Sequence, residues 1–382
     1  PYITYDNKYI ETLWYLLKQL YDKKYLYKGY TIQPYSPAAG TGLSSHELNQ
    51  PGCYRDVKDT TCTAQFLVEE NNHQIVEQIL SKADEGFSQI SILAWTTTPW
   101  TLPSNTALCV GPKIDYVAVE SFNPYTGSPM IYIVAKARLS AYFNVAGEVT
   151  EGGEVTLENY SVGDKLIPYK VIAEYKGEDL LGIHYAQLFP WVDPVDFVDG
   201  KVVNRRKDAF RVIAGDYVTT EDGTGIVHIA PTFGADDAFV AKAAGVPSLF
   251  LINDKNETRP MVDFTGKYWN VADLNADFVA SSVNLSAYKE YEGAWVKNAY
   301  DPQFTVDGKY DETAASKAEN LDVRLSLAMK AQGLAFKIEK HTHNYPHCWR
   351  TDKPVLYYPL DSWFIRTTAC REEMINLNKT IN

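Results

Sequence analysis

From about residue 87 to residue 340, the chain consists of short apolar runs separated by glycine and proline. Runs of this kind are typical of strands, and the glycines and prolines between them mark turns. We expect strands over 89–95, 106–111, 115–121, 130–135, 164–169, 225–230, 248–252 and 334–340. Helical patterns interrupt them at about 136–144, 234–245 and 318–333. The sequence therefore predicts a mixed, β-rich fold with a closed or sandwiched core and covering helices.

The two ends of the chain differ from this middle region. Residues 7–24 carry apolar side chains at helical spacing, which predicts an amphipathic helix. Residues 36–65 are rich in Ser, Gly, Pro and Asn and are expected to form an extended connection with few regular elements. The predicted division is an N-terminal helix and stem segment (1–60), an inserted domain (61–340) and a returning stem segment (341–382).

Charge and cysteine content limit the classes of function. A net charge of −12 argues against bulk electrostatic binding of nucleic acid, because neutralising phosphates requires clustered Lys and Arg. The one basic stretch, 201–211, is either a solvated loop or a local RNA contact. Five scattered cysteines without a CxxC pair indicate reduced thiols in a cytoplasmic protein. No signal peptide or membrane-spanning run is predicted, and the missing initiator methionine suggests an excised segment.

The first stretch with the residues for chemistry is "AWTTTPWTLPSNTALCV", at 94–110. The prolines must end any strand that reaches them, which frees backbone groups for a ligand. Threonine hydroxyls at that point supply donors and acceptors, and an asparagine adds an amide. A polar strand end explains one or two threonines, whereas a binding site explains all four. The candidates here are Trp95, Thr96, Thr97, Thr98, Thr101 and Asn105.

The second stretch is "EDGTGIVHIAPTFGADDAF", at 221–239. A tight Gly-Thr-Gly turn leads into an apolar strand that carries His228, and Asp236 and Asp237 begin the following helix. An acidic residue at a helix N-terminus is often only a cap, and a histidine on an apolar strand is often only a core residue. The two together favour a site. Neither a dinucleotide fingerprint nor a Walker lysine is present.

A third cluster, His341, His343, His347 and Cys348, has histidine and cysteine at loose spacing. Side chains of these types can bind zinc, although no acidic general base is adjacent. A structural role for these side chains is the alternative.

Taken together, the threonine stretch and the Gly-Thr-Gly stretch resemble the editing domain of class I aminoacyl-tRNA synthetases, the connective insertion of the isoleucyl, valyl and leucyl enzymes. Thr98 followed by Pro-Trp-Thr is similar to the isoleucyl type, because the other two types typically have Arg after two threonines. His228 also fits that type. The stretch 348–365 is similar to the segment that leads back to the catalytic domain. The resemblance implies a β-barrel-like editing domain inserted between two halves of a stem.

Two departures from the family pattern bear on cofactors. Many relatives carry four zinc-ribbon cysteines in the stem, but here Ser36, Ala39 and Thr351 replace three of them and only Cys348 is retained. We therefore expect no metal in the stem. Peptides of the HIGH and KMSKS kinds are absent, so the ATP site of the family is expected to lie outside this chain, which should not activate isoleucine.

The resemblance implies hydrolysis of valine from mischarged isoleucine tRNA, and of valyl-adenylate as a further substrate. Such a second sieve is needed because a pocket discriminates poorly against one missing methylene, as the isoleucyl enzyme itself illustrates. On this basis Asp237 pairs with the substrate ammonium, and His228 lines the side-chain pocket and excludes isoleucine. Thr96, Thr97 and Thr98 contact substrate and water. Trp95, Thr101, Asn105 and Asp236 are assigned to substrate binding, with Asp236 as a helix cap in the alternative.

Two other functions stay open at this point. A valyl- or leucyl-type editing domain would act on another amino acid. A module that only binds the tRNA acceptor end, inactive in isolation, is the second. The expected partners are the 3′ end of tRNA and an aminoacyl-adenylate, with a monomeric chain and no membrane.

Overall fold

The computed structural model describes residues 3–69, 73–306 and 309–381. The helices in these ranges are α1 (Asn7–Asp22), α2 (Ser45–Leu48), α3 (Gln74–Lys82), α4 (Leu139–Tyr142), α5 (Ala235–Ala244), α6 (Ala276–Ser282), α7 (Leu285–Tyr288), α8 (Glu312–Lys317), α9 (Leu321–Ala331) and α10 (Arg371–Asn378). The strands are β1 (Leu26–Ser36), β2 (Thr41–Gly42), β3 (Tyr54–Leu67), β4 (Ile90–Thr96), β5 (Ala107–Val110), β6 (Asp115–Phe122), β7 (Pro129–Ala135), β8 (Lys170–Lys176), β9 (Val195–Val198), β10 (Lys201–Asn204), β11 (Arg211–Ala214), β12 (Ile226–Ile229), β13 (Leu251–Ile252), β14 (Thr258–Arg259), β15 (Thr305–Val306), β16 (Lys309–Tyr310), β17 (Ala335–Pro346) and β18 (Leu356–Ile365).

A mixed six-stranded sheet in the order β17-β3-β4-β7-β6-β8 forms the centre of the fold. Strands β4 and β7 pair in parallel, and the other neighbours pair antiparallel. Almost every residue of β4, β6 and β7 is buried, so both faces of the sheet are covered. This explains why these strands read as continuous apolar runs rather than as alternating patterns.

The sheet is not a closed barrel. Strands β17 and β8 are its outer strands and do not pair with each other in the described part of the chain. Prolines 99 and 103 end the path of β4, and the chain continues into a separate sheet in the order β11-β5-β12, where β12 packs against β4. The mixed, β-rich class and the covering helices are confirmed, whereas the barrel-like expectation is not supported.

The outer segments of the chain pair with each other. Strand β1 runs antiparallel to β18 over ten residue pairs, from Leu26 opposite Ile365 to Tyr35 opposite Leu356. Strand β3 likewise pairs with β17 from Tyr54 opposite Pro346 onward. This second pair continues through positions 60 and 340, so the backbone shows no break there, and the three-part division stays a prediction.

Two predicted elements are wrong. Residues 36–65 are not an irregular connection, because β3 occupies 54–67, and its charged first half hides the strand pattern. The charged side chains of this half are compatible with a strand because they pair with groups elsewhere in the fold, as Asp59 does with Lys297. The strand expected at 164–169 lies later, at β8, because 164–169 is irregular, with bends and one isolated bridge at Tyr169. Helices α1, α5 and α9 lie where the sequence predicts them.

In the described ranges, no helix is long and apolar enough to cross a membrane. All five cysteines are unpaired, and four of them are buried.

Candidate active site

The threonine stretch forms the end of β4 and the turn that follows it. Strand β4 ends at Thr96, and Pro99 begins a 3₁₀ helix over Pro99–Ser104. The Thr96 hydroxyl accepts the Thr98 N–H at 3.1 Å, and the Thr101 hydroxyl donates to the Thr98 carbonyl at 2.8 Å. These hydroxyls therefore satisfy backbone groups that the prolines remove from the sheet.

The Gly-Thr-Gly turn lies opposite the threonine turn. Gly223 and Gly225 both have positive φ, and a Cβ on Gly225 would lie 2.4 Å from the Ala135 Cβ. Tyr116 donates its hydroxyl hydrogen to the Gly225 carbonyl at 2.7 Å, and this hydrogen bond anchors the turn. Strand β12 then pairs with β5 and carries His228 toward the threonine turn.

His228 is buried, and both ring nitrogens face protein atoms. Its Nε2 lies 2.9 Å from Thr101 Oγ1, and its Nδ1 lies 3.3 Å from Asn105 Nδ2. Burial lowers the pKa of His228 to about 4 because the charged imidazolium would lose its hydration. The ring is therefore neutral at neutral pH.

Asp237 lies in the first turn of α5, where the helix dipole favours a carboxylate. It is partly buried, and its Oδ2 accepts the Ala230 N–H at 2.9 Å. Burial, together with the neighbouring Asp236, raises the pKa of Asp237 to about 6. An anion held in such a position is stabilised by a cationic ligand.

These elements enclose a cavity of about 360 Å³. The sequence-predicted residues that line it are Trp95, Thr96, Thr97, Thr98, Thr101, His228 and Asp237. Asn105 lies outside the lining but contacts His228, whereas Asp236 is exposed and does not line the cavity. The structure thus brings two stretches about 130 residues apart into one pocket.

Ten further residues line the cavity and were not predicted as site residues. Tyr217, Asp222 and Phe233 are among them. Burial and the carboxylate of Asp237 raise the pKa of Tyr217 well above its ordinary value, so its hydroxyl stays protonated. Asp222 adjoins the Gly-Thr-Gly motif and could have been chosen on that ground. Nothing in the local sequence marks Tyr217, which reaches the cavity from the loop after β11.

A buried charge cluster, formed by Asp59, Lys297 and Asp322, supports the threonine turn from behind. Lys297 Nζ lies 2.9 Å from Asp59 and 3.7 Å from Asp322. Asp322, at the start of α9, accepts the Trp100 N–H at 2.9 Å and so holds the 3₁₀ helix. The two carboxylates raise the pKa of Lys297 although burial opposes this, so the lysine is charged.

The histidine and cysteine cluster does not converge. His341 and His343 lie on one face of β17, where His341 packs edge-on against Trp95 and His343 Nε2 lies 3.3 Å from Asp59. Cys348 lies elsewhere, in the stem, where Ser36 and Thr351 lower its pKa by hydrogen bonds although burial opposes this. Across the described ranges, no three His, Cys, Asp or Glu side chains are grouped to hold a metal ion.

The basic stretch at 201–211 is paired with acidic groups of the protein itself. Arg205 forms ion pairs with Asp196 and Asp208, and Arg206 with Asp193. These pairs favour the solvated-loop interpretation of the stretch over an RNA contact.

Comparison with known proteins places this site in context. A family model described as class I tRNA synthetases (I, L, M and V) matches residues 1–382. The chain is 66% identical over 382 residues to isoleucine--tRNA ligase of Bacteroides thetaiotaomicron, covering all of this chain and 32% of that protein. It is 37% identical over 384 residues to the Clostridium tetani enzyme of the same name, covering 100% of this chain and 27% of that protein. The chain thus spans about a third of the length of these relatives.

Among solved structures, the P. knowlesi cytosolic leucyl-tRNA synthetase editing domain is similar at a TM-score of 0.39 and 14% identity. That match covers 74% of this chain and 97% of the solved chain.

Proposed function

The chain belongs to the class I tRNA synthetases of the isoleucine, leucine, methionine and valine group, and from that premise we propose that it edits mischarged isoleucine tRNA. The reaction is hydrolysis of valine from the 3′ end of the tRNA, with valyl-adenylate as a further substrate. The observation that carries the proposal is the cavity itself, in which Asp237, His228 and the threonine turn meet.

Asp237 is assigned to the α-ammonium of the aminoacyl group. Asp237 lines the cavity, and its raised pKa reflects burial and the neighbouring Asp236, with no cation of the described residues acting to lower it. A bound ammonium would remove that electrostatic cost and so gain binding free energy. The exposed Asp236 is outside the cavity and is assigned to the helix N-terminus only.

Hydrolysis of the ester needs a positioned water and no covalent nucleophile. Water attacks the acyl carbon, the bond from that carbon to the ribose oxygen breaks, and the ribose hydroxyl leaves with a proton that originates from the water. Thr97 is suited to this task, because it lines the cavity and its hydroxyl has no hydrogen-bond partner in the described part of the chain. Thr96 and Thr98 carry the turn that presents it, and Trp95 forms an apolar wall.

His228 is assigned to exclusion of isoleucine, which is larger than valine by one methylene. A buried, neutral ring with both nitrogens engaged is a fixed wall, and a fixed wall rejects the larger side chain by overlap. The proposal places this activity in the cytoplasm, where the five unpaired thiols stay reduced.

The test measures release of amino acid from Val-tRNA(Ile) and Ile-tRNA(Ile) by this chain, together with RNA binding. We expect hydrolysis of the valyl ester, loss of hydrolysis with Asp237→Ala, and hydrolysis of both esters with His228→Ala. Asp236→Ala is the matched control and keeps the activity. Retained hydrolysis with Asp237→Ala contradicts the anchor assignment. RNA binding without hydrolysis supports a binding module, and preference for another aminoacyl ester supports a valyl or leucyl type.

A further inference from the structure

The interior beside His228 contains a chain of hydrogen bonds that the proposed chemistry does not use. Asn105 and Tyr185 are both buried, and Tyr185 is held by edge contacts with Phe66 at 5.3 Å and Phe210 at 6.2 Å. Neither residue lines the cavity. Tyr185 contacts Asn105, and Asn105 contacts His228. These contacts determine which ring nitrogen of His228 carries the proton.

The orientation of the Asn105 amide follows from two oxygen contacts. Its Nδ2 lies 2.8 Å from the Ala107 carbonyl oxygen, which only accepts hydrogen bonds. Its Oδ1 lies 2.7 Å from the Tyr185 hydroxyl, which donates to it. A reversed amide would bring two carbonyl oxygens to within 2.8 Å of each other and is therefore excluded.

The tautomer of His228 follows from that orientation. Asn105 Nδ2 presents only hydrogens, and the one not donated to Ala107 is shared between His228 Nδ1 at 3.3 Å and the Ile229 carbonyl at 3.4 Å, so Nδ1 is an acceptor and the ring proton lies on Nε2. The Thr101 hydroxyl oxygen accepts a hydrogen bond from Nε2–H at 2.9 Å, because its own hydrogen is donated to the Thr98 carbonyl. Every donor in this series of hydrogen bonds therefore has an acceptor.

We propose that Asn105 and Tyr185 are positioning residues that fix His228 in the Nε2–H tautomer. Both ring nitrogens are then engaged by protein atoms, and no lone pair is left to accept a proton from water. His228 therefore acts by shape and not as a general base. This inference rests on the proposed editing function only for its consequence, which is selectivity, since the tautomer itself is independent of activity.

The tautomer is measured by NMR on the 382-residue chain labelled with ¹⁵N in histidine, with His228 assigned by substitution. We expect Nε2 to carry the proton and Nδ1 to be unprotonated across pH 5 to 8. Tyr185→Phe removes the donor to the amide oxygen and leaves the Asn105 amide held through Nδ2 alone, so its contact with His228 should loosen and both ring nitrogens should shift toward averaged values. Asn105→Asp places an acceptor at Nδ1, so the ring should become protonated at both nitrogens.

Tyr132→Phe is the matched control, because Tyr132 is also buried and donates to a side-chain amide oxygen, that of Gln65 at 3.0 Å. It should leave the His228 signals unchanged. A proton on Nδ1 in the wild type, or unchanged ring signals in Tyr185→Phe, overturns the proposal. If Asn105→Asp does not fold, the wild-type and Tyr185→Phe measurements still decide.

Selectivity provides the second readout. In Tyr185→Phe the preference for Val-tRNA(Ile) over Ile-tRNA(Ile) should fall by on the order of tenfold, because a mobile ring excludes the extra methylene less well. Unchanged preference contradicts the positioning role. If the chain hydrolyses neither ester, the proposed function fails, while the tautomer measurement stands or falls separately.

Discussion

Replacing Asp237 by asparagine should stabilise the fold while it removes the proposed substrate anchor. Asparagine keeps an oxygen to accept the Ala230 N–H but has no charge to desolvate. The pKa of Asp237 rises from its ordinary 3.8 to about 6, which corresponds to about 3 kcal/mol against the ionised form in the folded state. The lost attraction to the α5 N-terminus offsets up to about 1 kcal/mol of that gain. The net gain is therefore about 2 kcal/mol at pH 8.

The sign of the pH dependence follows from proton linkage. The folded state holds the Asp237 proton more tightly than the unfolded state, so the carboxyl's contribution to stability is full below pH 3.8 and is lost as the pH rises through 6. The gain from Asp237→Asn should therefore be largest above pH 7 and absent near pH 4. His228 acts in the opposite direction, since its lowered pKa reduces stability as the pH falls from 6.5 to about 4, but it is common to both proteins and cancels in the difference.

The assay is urea unfolding of the wild type and Asp237→Asn at pH 4.5, 6 and 8, with unchanged denaturant slopes as the check on two-state behaviour. Asp222→Asn is the control, because that carboxylate is exposed at the same cavity, and its effect should stay within about 0.5 kcal/mol. A variant less stable than the wild type at pH 8, or a gain equal at all three values, refutes the reasoning.

Three further outcomes are expected. Asp322→Ala should lower the free energy of unfolding by about 1–3 kcal/mol in urea titrations, because it leaves the buried Trp100 N–H without its acceptor, while Lys297 keeps Asp59 as its partner. Gly225→Ala should cost about 2–5 kcal/mol, since a Cβ there would lie 2.4 Å from another Cβ, whereas Gly245→Ala, at similar φ in open space, should cost only about 1–2 kcal/mol. Affinity for valinamide, measured by calorimetry, should fall by on the order of tenfold for each pH unit below 6 and lose this dependence in Asp237→Asn.

The local sequence pattern correctly predicted the elements whose conformation does not depend on distant partners. The apolar runs of β4, β6 and β7 and the helical spacing of α1 each contain their own signal. Strand β3 was not predicted because its first half, which includes Asp56 and Asp59, is charged. Its strand conformation depends on pairing with β17, about 280 residues away. The barrel expectation failed for the same reason, since closure depends on which distant edges meet.

The site divides in the same way. The threonine and Gly-Thr-Gly stretches carry local irregularities, prolines after a strand and glycines before one, that mark them in sequence. Tyr185, Tyr217 and Asp322 have no such mark, because each acts through a contact made by tertiary folding.

The hydrogen-bond partners separate the polar groups of the cavity into two sets. His228, Thr101 and Asn105 are engaged with one another, so they have little capacity left for a ligand and can affect it mainly through shape. Thr97 and Asp237 line the cavity and can still bind a ligand, since among the described residues the Thr97 hydroxyl has no partner and the Asp237 carboxylate has no cation. If the proposed function holds, substitutions in the first set should change which amino acid is released, and substitutions in the second should change how fast any is released. A variant of the first set that slows both esters equally would mean that the wall also takes part in the chemistry.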